Sequence, residues 1–117
     1  MPHLIIEYPA ALITDAQLDK MIDAVHSAAV RTALFVPSHI RVRTIPLQHY
    51  RIGGEKKAFI HAQCRIHPGR SAVQKKALSE AVLAALRSHD QTRAVITVEV
   101  VEMDRDSYAK YVPQENE

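Results

Sequence analysis

The chain has 117 residues, 47% of them apolar and 24% charged, with a formal net charge of +2. This length makes a single domain, 1–117, with a modest core, and so small a charge argues for neither nucleic-acid nor membrane binding. No apolar run approaches the ~20 residues of a bilayer span, and the start shows no secretion signal, so the expected compartment is the cytoplasm.

Taken in chain order, the first element is a strand over residues 3–8, where Leu4, Ile5 and Ile6 form an apolar, β-rich run. Pro2 stands directly ahead of it, one of the few strand positions where a missing N–H costs nothing. Thr14 and Gln17 then stand in capping-box spacing, and Leu18, Met21, Ile22, Val25 and Ala29 fall at helical intervals as one apolar stripe. Pro37 bars continuation of that helix. In "HIRVRTIPLQHY" the alternation of a strand places Ile40, Val42 and Thr44 on one face and Arg41, Arg43 and Ile45 on the other. Gly53 and Gly54 mark a hairpin-like join.

The second half repeats the order. "KAFIHAQCRI" is a strand with Ile60, Ala62, Cys64 and Ile66 on one face and Phe59, His61, Gln63 and Arg65 on the other. "PGR" makes a turn, Ser71 and Gln74 form a second capping box, and Val73, Ala77, Leu78, Ala81, Val82 and Leu86 make the second stripe. "TRAVITVEVVEM" is the closing strand. The fold class is therefore α/β (α+β): one βαβ unit over 1–52, another over 55–103 and a tail over 104–117. Each helical crossover predicts a parallel strand pair with a right-handed connection. Both helices are apolar on one side only, so they cover one face of the sheet. The other face carries enough apolar groups to expect burial against further subunits. In the tail, Tyr108, Tyr111 and Val112 interrupt a polar segment, which leaves two readings: a tail without fixed structure, or an arm crossing to another subunit.

No phosphate loop, dinucleotide glycine fingerprint or nucleophile elbow is present. The seven histidines show no metal-ligand spacing, so no metal is expected, and the lone Cys64 reads as a small buried hydrophobe. Three cations stand out. Arg41 and Arg43 project from one strand face, and Arg70 lies beside a helix start, where free N–H groups favour anions. Each can be a solvated or ion-paired surface group; together their guanidinium forks suit a carboxylate-bearing ligand. Removal of Met1, usual before a small residue, would turn Pro2 into a free secondary amine. Such an amine titrates near ~7.7–8.0, and burial and nearby arginines lower that value.

These features resemble the tautomerase superfamily, and within it the 5-carboxymethyl-2-hydroxymuconate isomerases. The likeness runs through "PHLIIEY", "IRVR", "AFIHAQCRIHPGRS" and "ITVEVVEM", while "PLQHYRIGGEKK" departs from the family pattern. The resemblance implies a homotrimer with a substrate pocket near each Pro2, no cofactor and no metal. It implies that Pro2 is the catalytic acid/base and that Arg41 and Arg70 bind substrate, with Arg43 a further match. It also implies a substrate among carboxylated 2-hydroxymuconate-type dienols, isomerised to unsaturated 2-oxo acids in aromatic compound catabolism. Two other readings stand beside it. One is a tautomerase of smaller, phenylpyruvate-type 2-oxo acids; the other is a non-catalytic anion-binding module packed like a ferredoxin-type fold.

Overall fold

Each helix begins where a hydroxyl and an amide stand three residues apart. Gln17 N–H donates to Thr14 Oγ1 at 3.2 Å, and Thr14 N–H donates to Gln17 Oε1 at 2.8 Å. Ser71 and Gln74 repeat the exchange at 3.2 and 2.8 Å. Each box satisfies two backbone donors that a helix start otherwise leaves orphaned. The computed structural model describes residues 1–114. Its elements are β1 (His3–Pro9), α1 (Asp15–Arg31), a short 3₁₀ turn (Pro37–His39), β2 (Arg41–Leu47), β3 (Phe59–Ile66), α2 (Ala72–His89) and β4 (Val95–Glu102).

The strands form a four-stranded sheet in the order β2-β1-β3-β4. β1 and β2 pair parallel, β3 and β4 pair parallel, and β1 and β3 join the two units antiparallel. The two βαβ units and their parallel crossovers are thus as the sequence leads one to expect. Because each helix links neighbouring strands, the units are not split, which removes the ferredoxin-type packing considered above. Pro46 falls within β2, an edge strand, where its missing N–H breaks no ladder. Between the units, Ile52 and Glu55 bridge across Gly53 and Gly54, whose φ values of 56° and 81° suit glycine.

Leu4 and Ile6 of β1 and Ile60, Ala62, Cys64 and Ile66 of β3 are buried beneath the helices. The Cys64 thiol is pushed up to about 12, by burial first and the Glu99 charge second, so it acts as a packing group. From α1 the core takes Leu18, Met21, Val25, Ala28 and Ala29. From α2 it takes Leu78, Val82, Ala85 and Leu86. Val73 does not join them: it is 80% exposed, and Ala77 is exposed as well. At ~100° per residue, Val73 lies on the far side of α2 from the Leu78–Val82–Leu86 face. Spacing by fours had carried the stripe too far towards the start of the helix.

The uncovered face mixes Ile5, Ile45, Phe59, Val95 and Val101 with His3, Glu7, Arg43, His61, Gln63, Arg65, Thr97 and Glu99. It is more polar than the sequence pattern suggests. His61 spends both ring nitrogens there, on Thr97 Oγ1 at 2.7 Å and Glu99 Oε2 at 2.6 Å.

Over its described part the tail has fixed contacts with its own chain. Arg105 Nη2 donates to the Pro68 carbonyl at 2.9 Å, and Tyr108 Oη lies 2.9 Å from His3 Nε2. The segment is therefore strapped over the end of its own sheet; residues 115–117 of that tail lie outside the described residues. Among the described residues, no helix is long and apolar enough to cross a membrane.

Candidate active site

Pro2 is fully buried at the mouth of β1. Its carbonyl accepts the Arg41 N–H at 3.0 Å, which starts the β1–β2 ladder. This contact ties the first residues of the chain to the strand that carries Arg41. Met1 lies over Pro2 in sequence and on the wall of a cavity of about 700 Å³, together with His39, Arg41, Lys110, Tyr111 and Pro113. Arg41 Nη1 donates to the His39 carbonyl at 3.0 Å and reaches the Met1 thioether sulfur at 3.5 Å.

Electrostatically, the chain start is a place where a proton is held weakly. The terminal amine is held below its ordinary value by burial first, then by Arg41, Arg70, Lys110 and Arg105 in that order. Both effects penalise the ammonium form. An amine at this end of the sheet is therefore neutral, and able to accept a proton, at a lower pH than a free chain terminus.

The four residues singled out by sequence do not all meet. Arg41 lines the cavity, and Pro2, joined to it through the backbone, lies buried behind Met1 on that wall. Arg70 belongs to the same field, but its Nη2 donates to the Leu34 carbonyl, and its guanidinium stacks 5.2 Å from the Phe35 ring centre. It is placed by Gly69, whose φ of 125° requires glycine. Arg43 is exposed and turned elsewhere: its Nη1 lies 3.1 Å from His3 Nδ1. Guanidinium only donates, so His3 Nδ1 is the acceptor and the neutral ring donates from Nε2 to Tyr108 Oη. Burial, then Arg43 and Arg41, hold His3 below its ordinary value, consistent with that neutral form.

Sequence reasoning missed Lys110, Arg105 and the strap that brings them. The available signal was Tyr108, whose ring also packs edge-on against His67 at 4.8 Å. His67 is likewise held below its ordinary value, by burial and then the cations around the chain start. Among the described residues, no group of three or more His, Cys, Asp or Glu side chains gathers in a metal-binding arrangement.

The fold is one shared with isomerases of known structure. A structure of a 5-carboxymethyl-2-hydroxymuconate isomerase from Deinococcus radiodurans R1 superposes with a TM-score of 0.81 at 25% identity, covering 94% of this chain and 88% of that one. A 5-carboxymethyl-2-hydroxymuconate delta-isomerase superposes at 0.82 with 23% identity, covering 96% and 89%. A fused 4-OT described as a symmetric trimer superposes at 0.77 with 16% identity, covering 92% and 90%. Comparison with curated protein sequences returned no match. The sequence profile of the 5-carboxymethyl-2-hydroxymuconate isomerase family matches residues 2–112, and the chain belongs to that family.

Proposed function

We propose that this isomerase converts a carboxylated 2-hydroxymuconate-type dienol to an unsaturated 2-oxo acid, with Pro2 as acid and base once Met1 is removed. The carrying observation is the Met1 amine held below its ordinary value on a cavity that Arg41 also lines, one residue out from Pro2, whose amine would take its place in the same surroundings. A base whose pKa lies near working pH combines availability with strength. A lysine, ordinarily near ~10.4, needs a far larger shift.

In this scheme the Pro2 nitrogen takes the proton of the 2-hydroxyl, and the oxygen's electron pair becomes the carbonyl as the conjugated double bonds shift. The same nitrogen then returns the proton to a carbon further along the chain. Substrate and product have one formula, so the reaction balances without a cofactor. Arg41, and Arg70 if its guanidinium turns from Leu34, would hold the carboxylate and the 2-oxo oxygen, stabilising the dienolate between the two steps. The metabolic setting that fits such a substrate is aromatic compound breakdown.

A homotrimer is the proposed working form, supported by the fused 4-OT described as a symmetric trimer and by a sheet face that no helix covers. Sedimentation should give a mass of about three chains; a stable monomer at micromolar concentration would remove this part of the reading. The substrate class is tested by ultraviolet assay of a carboxylated 2-hydroxydienoate against phenylpyruvate. The dienol should be turned over with the higher kcat/KM. A preference for phenylpyruvate would assign the site to smaller 2-oxo acids instead.

A further inference from the structure

The tail strap leaves one cation without a structural task. Arg105 is committed to the Pro68 carbonyl, Arg70 to Leu34 and Phe35, and Arg43 to His3. Lys110 is exposed and lines the same cavity as Arg41 and Met1, and among the described residues it has no ion-pair or hydrogen-bond partner. Its place is not that of a loose chain end. Two residues earlier, Tyr108 is fixed by the His3 ring at 2.9 Å and by edge-on packing on His67. On the other side, Val112 and Pro113 continue along the cavity wall. The anchor at Tyr108, two residues before Lys110, removes part of the ordering entropy that a lysine on a free tail would lose on binding.

Arg41 approaches this cavity from the edge strand, and Lys110 approaches from the strap. A ligand with one carboxylate can satisfy one of these cations. A ligand with a carboxylate at each end of a conjugated chain can engage both. We propose that Lys110 is a specificity-determining residue that binds a second, remote carboxylate, selecting dicarboxylated over monocarboxylated substrates, and that Tyr108 is the positioning residue that holds it there. The inference rests on the proposed function for the location of the site, but its consequence is a binding preference and does not depend on proton transfer.

Two unreactive probes separate the cases: trans,trans-muconate, a six-carbon conjugated dicarboxylate, and sorbate, which has the same chain with one carboxylate. Calorimetry on the full chain with Met1 removed, at about 0.15 M salt, screens charges beyond ~8 Å. Wild type should bind muconate about tenfold or more tightly than sorbate, the scale of one charge-assisted hydrogen bond. Lys110→Met should erase that ratio while leaving sorbate affinity unchanged, and Lys110→Arg should restore it. Tyr108→Ala, with every charge kept, should reduce the same ratio by loosening the strap. Lys110→Met lowering both affinities equally, or leaving the ratio intact, would overturn the role of Lys110. Tyr108→Ala leaving the ratio at its wild-type value would overturn the positioning role. Wild type binding neither probe would overturn the anion site itself, and with it the location of the proposed function.

Discussion

Blocking the amino group of Pro2 is expected to abolish turnover of a carboxylated dienol, a larger loss than any side-chain substitution in the cavity should cause. With Met1 attached, the Pro2 nitrogen is an amide whose lone pair is delocalised into the carbonyl. It cannot act as a base at any accessible pH. The nearest free amine is then that of Met1, one residue out on the cavity wall. Positioned proton transfer is worth ~10²–10⁴-fold, and that whole factor is at stake. Pro2→Ala, correctly processed, should lose less, since a primary amine remains near the same place without the ring's fixed φ. The comparison is between protein with a free Pro2, confirmed by intact mass, and protein retaining Met1, assayed on one substrate. Equal rates in the two forms would leave Pro2 as a strand starter and nothing more.

Arg41→Ala should produce two changes that separate its contact with substrate from its effect on the base. Loss of a charged hydrogen bond to a carboxylate should lower kcat/KM by ~1.5–3 kcal/mol. The ascending limb of the rate–pH profile should also move to higher pH. Arg41 is the foremost of the charges holding the Met1 amine below its ordinary value, with burial the larger cause, and the Pro2 amine one residue further in would stand in the same field. A cation beside an amine favours the neutral form, so its removal lets the ammonium persist to higher pH, and the pKa rises towards its ordinary value. Activity that requires the neutral amine is then lost at the acid end of the wild-type range and recovered as pH rises. An unchanged limb would mean that Arg41 does not act on the base. An unchanged kcat/KM at high pH would mean that it does not touch the substrate.

The order of elements was legible because each is specified by local signals. The two capping boxes, the alternation in β3 and the glycines at 53 and 54 concern residues close in sequence, where geometry follows directly from spacing. The candidate base and its first cation were legible for the same reason: a proline at the start of a strand and an arginine at the start of its partner stand at the same end of a parallel pair. β1 and β2 place His3 opposite Arg41.

Long-range packing decided the rest. The stripe read from the sequence of α2 took in Val73 from the opposite side of the helix, and the sheet meets only the face that Leu78, Val82 and Leu86 share. Arg70 and Arg43 look equivalent to Arg41 in sequence, but one is engaged by Leu34 and Phe35, and the other turns to His3. Those partners lie 36 residues from Arg70 at Leu34 and 40 from Arg43 at His3, and no local pattern encodes them. The tail shows the difference most clearly. A polar segment holding two tyrosines can stay solvated or dock, and the outcome depends on whether a matching surface exists elsewhere. Here His3 and His67, brought side by side by β1 and the end of β3, supply that surface for Tyr108. Local spacing determined the strands, the helices and the place of Pro2; only tertiary packing decided which cations face the cavity, because that depends on contacts between residues up to 105 positions apart.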